Sequence, residues 1–461
     1  MKHEILVAGL GVTGVATAKA LAKLGNNVLV YEEDSSAAMQ IKAEEIRSIA
    51  NIEVTFTQPE TLPKLIITSP GWKPNHPVLL HAISSGCEVI SEVEYAWRID
   101  QKSAKPKTWV GLTGTNGKTT TVGMVEAIFK ADGKKAVACG NIGKTVIEVI
   151  TGDEVVDYLI LELSSFQLHW SEELRLHSAA ILNIADDHLD WHGSFSEYLA
   201  AKKRITDGAN LIIINRDDRY LNSLEFNGDH KIVRFTLDAP RPGEIGVVEE
   251  LLVDRAFVDD PQEASALAEL SDINPQAPHN VANALAAMAL ARSCGVKVES
   301  IAVGLRNFAP GHHRIEEVEN FEGVRWINDS KATNPHAANA SLAAFKSIIW
   351  IAGGLAKGAN MEDLVQSKAG RLKAVLLIGT DRNLISEALS KHAPEIPKFF
   401  IDGDSPEQLM DNLISKGREL AVNGDVVLLA PACASMDQFT SYAHRGDLFA
   451  EKVKQYIGIK K

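Results

Sequence analysis

Short runs of β-branched and apolar residues punctuate this chain, and several lead at once into a glycine-containing turn and an alanine-rich stretch. The unit appears as a strand at Ile5–Val7, a turn at 9–14 and a helical pattern over 15–24. It returns as Trp109–Leu112, a turn at 114–119 and a helical pattern over 120–131, and more loosely from Ile348 through the Gly353–Gly354 turn. Apolar strands alternating with helices predict an α/β fold with parallel sheets covered on both faces. Ligands then belong at the carboxyl ends of the strands.

Two breaks interrupt the pattern. QKSAKPK at 101–107 is polar and proline-containing, and NFAPGHH at 307–313 follows a long helical pattern over 279–305. They divide the chain into 1–103, 104–309 and 310–461, which suits 461 residues at roughly 150 per domain. The acidic, proline-interrupted stretch Gly228–Asp272 reads as strands with loops. A net charge of −13 argues against nucleic acid or an anionic membrane as partner, since both are polyanions, but leaves small anions held by local charges. Cys87, Cys139, Cys294 and Cys433 form no CxxC pair, which suits free thiols in a reducing compartment. The opening MKHEILVAGLG is already strand and turn, so no signal peptide is expected, and no apolar run approaches the roughly 18 residues of a membrane helix. A cytoplasmic setting is expected.

Three glycine turns carry candidate chemistry. Gly9-Leu-Gly11-Val12-Thr13-Gly14 follows a strand, and Glu32 ends the next one, as in a dinucleotide fingerprint. An NAD-linked oxidoreductase, a half-fold holding one nucleotide diphosphate such as a UDP-sugar, and simple tight packing all remain open. Gly114-Thr115-Asn116-Gly117-Lys118-Thr119 is the stronger signal. Its glycines permit close approach of phosphate to backbone N–H groups, Lys118 supplies a cation and Thr119 a hydroxyl for Mg²⁺. The strict phosphate-loop pattern wants glycine at position 112, where this chain has Leu. Asn215-Arg-Asp-Asp218 faintly echoes a base-reading motif but reads better as a strand end and turn.

Glu162 ends the strand YLILEL, where a Mg²⁺ ligand belongs, or where a helix dipole favours an acid. AAILNIA leads into Asp186-Asp187-His188; composition alone does not make His188 a metal ligand. Lys202 lies in SFSEYLAAKKRI, whose Phe195, Tyr198, Leu199 and Ile205 form an apolar face, and the default is a surface lysine with a snorkelling stem.

Together, GTNGKTT, GNIG at 140–143, LELSSFQ, NIADDHLDWH, AAK at 200–202, HNVANALAA at 279–287, HR at 313–314, INDSKATNP and PACASMDQF resemble the Mur ligases of peptidoglycan synthesis. The likeness runs through all three pieces and is strongest to the D-glutamate-adding branch. It implies a Rossmann-like UDP-sugar domain (1–103), a central ATP-binding domain with a parallel sheet (104–309) and a Rossmann-like amino-acid domain (310–461). It further implies ATP-driven amide formation between UDP-N-acetylmuramoyl-L-alanine and D-glutamate through an acyl phosphate, by a monomer. Residue by residue, Gly114–Thr120 (with Thr120 the last) would hold ATP phosphates, and Thr119, Glu162 and His188 would hold Mg²⁺, in two ions. Lys202 would do so as a carbamate, which requires a neutral, desolvated amine. Asn141 would lie near the substrate carboxylate. Asn280, Asn283, Arg314 and Asp329 match nucleoside-contacting positions. Lys331, Thr333, Lys357, Ser435 and Tyr442 match positions that grip D-glutamate, with Tyr442 where some relatives have Phe. Gly11, Val12, Thr13, Gly14, Glu32, Ser69 and Gly71 would meet the UDP substrate.

Two departures stand out. The acid the family carries two residues before Lys357 is Leu355 here, so its role is missing or moved. Glu32-Glu33-Asp34 replaces an Asp-Thr-Arg of some relatives, removing an arginine from the UDP side. A folylpolyglutamate-type ligase, an oxidoreductase that leaves Lys118 idle and a nucleotide-gated binding module are the competing readings.

Overall fold

The computed structural model of the chain describes residues 3–226, 228 and 230–458. Two compact units form: one holds the chain up to Ile273 with Val281–Phe308, the other Asn274–Asn280 with the chain from Ala309 onward. Among the described residues the strands make three sheets, two in the first unit and one in the second.

The first sheet has parallel strands Ile5–Ala8, Val28–Tyr31, Ile52–Thr55, Leu65–Thr68 and Glu88–Ser91, in spatial order 3-2-1-4-5. The order reverses about the first strand, which sets the turn after it beside the turn after the fourth. The Ser69 N–H donates to the Ala8 carbonyl at 2.9 Å there. Both faces are covered, as the fully buried Leu6 and Val7 on opposite sides require.

The second sheet has nine strands in spatial order 9-8-7-6-5-4-1-3-2, opening with Thr108–Thr113, Ala136–Gly140, Tyr158–Glu162 and Ser178–Ile181. Its first six strands are parallel. Glu244–Val248, Leu251–Asp254 and Ser265–Glu269 then close it as an antiparallel meander, in the stretch read as strands with loops. Thr108–Thr113 lies in the middle, buried along almost its whole length. The helical pattern over 279–305 becomes two helices, Pro278–Ser293 and Val298–Asn307, because Gly295 takes φ +66° and turns the chain.

Helix Glu92–Gln101 joins the two sheets. Its Glu92, Glu94 and Asp100 are almost wholly buried, yet each accepts backbone N–H groups from beyond its own helix. Glu92 takes the Ile147 amide at 2.7 Å, Glu94 those of Glu172 and Glu173, and Asp100 that of Lys107 at 2.8 Å plus the Trp109 indole at 2.8 Å. These amide partners offset part of the desolvation cost of burying the carboxylates. The helix that leads into the break at 101–107 is therefore fastened along its length, and Lys107 at the far end of the break is tied back to it.

In the second unit, Glu316–Phe321 pairs antiparallel with Val324–Asn328, and the other four strands, Ile348–Gly353, Leu372–Ile378, Lys398–Phe400 and Val426–Leu429, run parallel. The order 1-2-6-3-4-5 places Val426–Leu429 between Val324–Asn328 and Ile348–Gly353. Among the described residues no helix is long and apolar enough to cross a membrane.

Candidate active site

The loop after Thr108–Thr113 leads into helix Lys118–Ala131 through Gly117, which caps it at φ +82°. A Cβ at Gly117 would sit 2.3 Å from the Asn283 amide oxygen, so this position is closed to side chains twice over. Asn183 clamps the tip of the loop: its amide oxygen accepts the Asn116 N–H at 2.9 Å and its amide nitrogen donates to the Asn116 carbonyl at 3.0 Å. Thr115 meets the Tyr198 hydroxyl at 2.8 Å and accepts the Ala185 N–H at 2.9 Å. Lys118 curls over the loop and donates to the carbonyls of Gly114 and Thr115 at 2.9 and 3.0 Å. Thr119 and Thr120 follow in the first helical turn, where N–H groups and the helix dipole favour an anion. Leu112 is a fully buried strand residue, so the glycine of the strict pattern has no task at that position.

Glu162 ends its strand beside this loop, 2% exposed. One carboxylate oxygen accepts the Asn141 side-chain amide at 2.8 Å; the other is buried and has no hydrogen-bond partner. Asn141 is held from the backbone too, its N–H donating to the Glu162 carbonyl at 2.8 Å. His188 takes φ +53°, packs edge-on against Phe166 and lies 3.5 Å from the Asp187 carboxylate. Nearby His192 is pushed down to about 4 by burial, and its ring nitrogen meets the Ser165 hydroxyl at 2.9 Å.

Lys202 corrects the default expectation of a surface lysine. It is 2% exposed, and its amine donates to the Gly114 carbonyl at 2.8 Å and the Thr113 hydroxyl at 3.3 Å. It also lies 4.9 Å from the centre of the Tyr198 ring. Burial, and after it the positive charge of Lys118, hold its pKa well below the ordinary value, against the opposing pull of Asp187 and Glu162. An ammonium in such a place is costly, which favours the neutral amine.

At the first sheet, Gly11, Val12, Thr13 and Gly14 open helix Val12–Lys23, and Val12 is largely exposed. The buried Ser69 hydroxyl, without a hydrogen-bond partner, lies close under Gly9 and Gly14, and Gly71 follows on the surface. Both oxygens of Glu32 are engaged by backbone, the Leu10 N–H at 2.7 Å and the Asp34 N–H at 3.0 Å. Glu32 thus props the glycine turn.

In the second unit three segments leave adjacent strands and are laced together. The Ala432 N–H donates to the Ala332 carbonyl, and Leu355 and Ala434 exchange two backbone hydrogen bonds, each bond 2.9 Å. This gathers Lys331 and Thr333, Lys357, and buried Ser435 around one strand edge. The Lys331 ammonium sits 3.8 Å from the centre of the Tyr442 ring. Asp329 is raised to about 6 by burial, while its carboxylate accepts the Ser341 hydroxyl and the Ile315 N–H. Arg314 lines a cavity of about 560 Å³ with Pro275, Pro278, Gly311 and Phe345. Asn280 donates to the Pro275 carbonyl at 3.2 Å.

Sequence reasoning passed over Thr113, Asn183 and Arg445, and took Tyr198 only as an apolar face. Arg445 is wholly buried, bonded to the Ser330 hydroxyl and carbonyl at 2.9 Å each. Its place three residues after Tyr442, on the same helical face, was the available signal.

A glycine-capped strand–loop–helix beside a buried acid and a buried lysine, in parallel α/β sheets, defines a nucleotide phosphate-binding protein of the α/β class. The chain matches the MurD-like N-terminal domain of Mur ligases over residues 3–91, the Mur ligase middle domain over 112–291 and the Mur ligase glutamate ligase domain over 313–433. It is 49% identical to the UDP-N-acetylmuramoylalanine–D-glutamate ligase of Thermobifida fusca, covering 99% of both chains. It is 40% identical to the enzyme of that name from Mycolicibacterium smegmatis, over 99% of this chain and 97% of the relative. Among solved structures, a pseudomurein peptide ligase type C from Methanothermus fervidus shares the fold at TM-score 0.60 and 19% identity, covering 100% of both chains. MurC from Thermotoga maritima does so at TM-score 0.58 and 18% identity, over 98% of this chain and 100% of its own. The chain belongs to the Mur ligase family.

Proposed function

We propose that this protein is an ATP-dependent ligase that joins D-glutamate to UDP-N-acetylmuramoyl-L-alanine in the cytoplasmic synthesis of peptidoglycan precursors. The names of its full-length relatives supply the substrates. The observation that carries the chemistry is the meeting of a buried Lys202, its pKa held low, and a half-satisfied Glu162 at the phosphate loop. We assign 1–103 to the UDP substrate, 104–309 to ATP and 310–461 to the amino acid, in a protein that works as a monomer.

The reaction begins with a carboxylate, a poor electrophile. Its oxygen takes the γ-phosphoryl group of ATP, ADP leaves, and the resulting acyl phosphate has a good leaving group. The amine of D-glutamate attacks the carbonyl carbon, the C–O bond to phosphate breaks, and amide and inorganic phosphate form, with one proton released from the amine. The chain positions these groups and matches the charge that develops on the transferring phosphoryl. Gly114 to Thr120 cradle the phosphates and Lys118 leaves its carbonyl partners to meet them. Asn141, anchored on Glu162, orients the substrate carboxylate. Asn280, Asn283, Arg314 and Asp329 hold the nucleoside.

The residues fit Mg²⁺. A buried carboxylate oxygen without a partner is the hard ligand such an ion takes, and Mg²⁺ is usually bound by one or two carboxylates plus phosphates. Thr119, Glu162 and His188 would hold the metal, with two ions in all, and bound Mg²⁺ would supply neutralisation of phosphate charge. Lys202 fits carbamylation: its neutral amine adds to CO₂, forming an N–C bond and releasing a proton, and turns a cation into a carboxylate. Lys331, Thr333, Lys357, Ser435 and Tyr442 receive the two carboxylates of D-glutamate.

The test is phosphate release from Mg-ATP with UDP-N-acetylmuramoyl-L-alanine and D-glutamate, omitting each in turn. Release is expected only with all three present. Equal release with L-glutamate, or without any amino acid, contradicts the assignment.

A further inference from the structure

The loop that carries Lys357 runs Gly353-Gly354-Leu355-Ala356-Lys357 and has an apolar residue, Leu355, two positions before that lysine. Leu355 is committed elsewhere, to the backbone exchange with Ala434. A carboxylate nonetheless reaches the loop, from the turn after the neighbouring strand Leu372–Ile378. Asp381 accepts the Ala356 N–H at 2.8 Å, and its own N–H donates to the Gly354 carbonyl at 3.0 Å. The two bonds grip the loop on either side of Leu355, immediately before Lys357, which is exposed and takes φ +51°.

Asp381 also stands at the N-cap of helix Arg382–His392, where an aspartate side chain ordinarily accepts an N–H of its own helix. Here the side chain makes no such bond. The cap interaction is forgone, and the carboxylate serves the Lys357 loop instead. A left-handed backbone at a non-glycine residue persists only where its surroundings hold it, and Asp381 is the side chain that fixes the residue before it.

We propose that Asp381 is the positioning residue for Lys357, gripping from the adjacent turn the loop that carries it and setting that ammonium for a carboxylate of the incoming amino acid. The proposal rests on the reading of Lys357 as an amino-acid contact.

The test is steady-state kinetics of Lys357→Ala, Asp381→Ala, Asp381→Asn and the double variant Lys357→Ala/Asp381→Ala, on full-length protein. Lys357→Ala is expected to raise the KM for D-glutamate at least tenfold. Asp381→Ala should raise the same constant by about a third to all of that factor on a logarithmic scale, with the KM values for ATP and the UDP substrate within twofold. The double variant should be no worse than Lys357→Ala alone. Asp381→Asn, which keeps an acceptor oxygen for the Ala356 N–H, should recover most of the loss. An unchanged KM for D-glutamate in Lys357→Ala overturns the reading beneath the proposal. A large effect there with none in Asp381→Ala, equal rises in all three KM values, or additive effects in the double variant overturn the proposal itself. Asp381→Asn guards against a folding defect: its thermal midpoint should match the parent, and an Asn variant that folds but is as impaired as Ala also counts against the acceptor role.

Discussion

Burial away from solvent and a second lysine for a neighbour both favour the neutral form of a lysine. Lys202 is in that position, its amine 2.8 Å from the Gly114 carbonyl and its charge opposed by Lys118. The state is reactive, because an amine adds to CO₂ only through its free electron pair. Lys202→Ala is expected to lower turnover by roughly the 100- to 1,000-fold typical of losing one charge-stabilising group. Formate or acetate should then restore part of it by supplying the missing carboxylate. Rates measured with and without the added acid check this, and complete indifference to it contradicts the carbamate. None of this is legible from the helix that carries Lys202. Its local pattern marks an apolar face and says nothing of the Thr113–Gly114 backbone, which arrives from some 88 residues away. The family motif is what pointed to it. Lys118 is different: strand, glycine and lysine are contiguous, so its place in the loop is readable without a tertiary structure.

Contiguity also governs what can be read at the scale of elements. The units at Ile5–Lys23 and Thr108–Ala131 are visible because period, turn glycine and helix lie within one window. The fastening of helix Glu92–Gln101 is not visible, since its partners Ile147, Glu172 and Glu173 lie far along the chain. Polar composition alone makes 101–107 look like a free linker. The fastening has a pH signature. Burial pushes the Glu92 carboxyl from an ordinary 4.5 up to about 7, with the negative charge of Glu148 adding to it and the Ile147 amide opposing. Between those values the folded protein binds a proton that the unfolded chain has lost, so this group's contribution falls as pH rises from 4.5 toward 7 and stays lost above. Glu92→Gln keeps an acceptor for the Ile147 N–H and cannot ionise. It should be more stable than the parent at pH 8 by on the order of 2–3 kcal/mol. The two should converge near pH 4.5, as urea unfolding across that range will measure. A constant difference at all pH values contradicts the titration of Glu92.

For the whole molecule, a net charge of −13 sits uneasily with substrates that are all anions. The conflict is resolved locally. In the proposed site the amino end of helix Lys118–Ala131 meets phosphate, Lys118, Lys331 and Lys357 follow the carboxyl ends of strands, and Arg314 lies just before strand Glu316–Phe321. The same distribution explains why fold class was readable from alternation of strand and helix while the amino-acid side of the site was not. Lys331, Lys357 and Ser435 come from three separate segments, joined by backbone bonds such as those between Ala332 and Ala432 and between Leu355 and Ala434. The proposed reaction turns on one chemical step, activation of the carboxylate of the UDP substrate by transfer of a phosphoryl group onto it. UDP-N-acetylmuramoyl-L-alanine labelled with ¹⁸O in that carboxylate tests it directly, by mass spectrometry of the phosphate formed with Mg-ATP and D-glutamate. Since the C–O bond breaks when the amine attacks, each phosphate should carry one carboxylate oxygen. Phosphate free of the label, formed alongside the amide product, would contradict it.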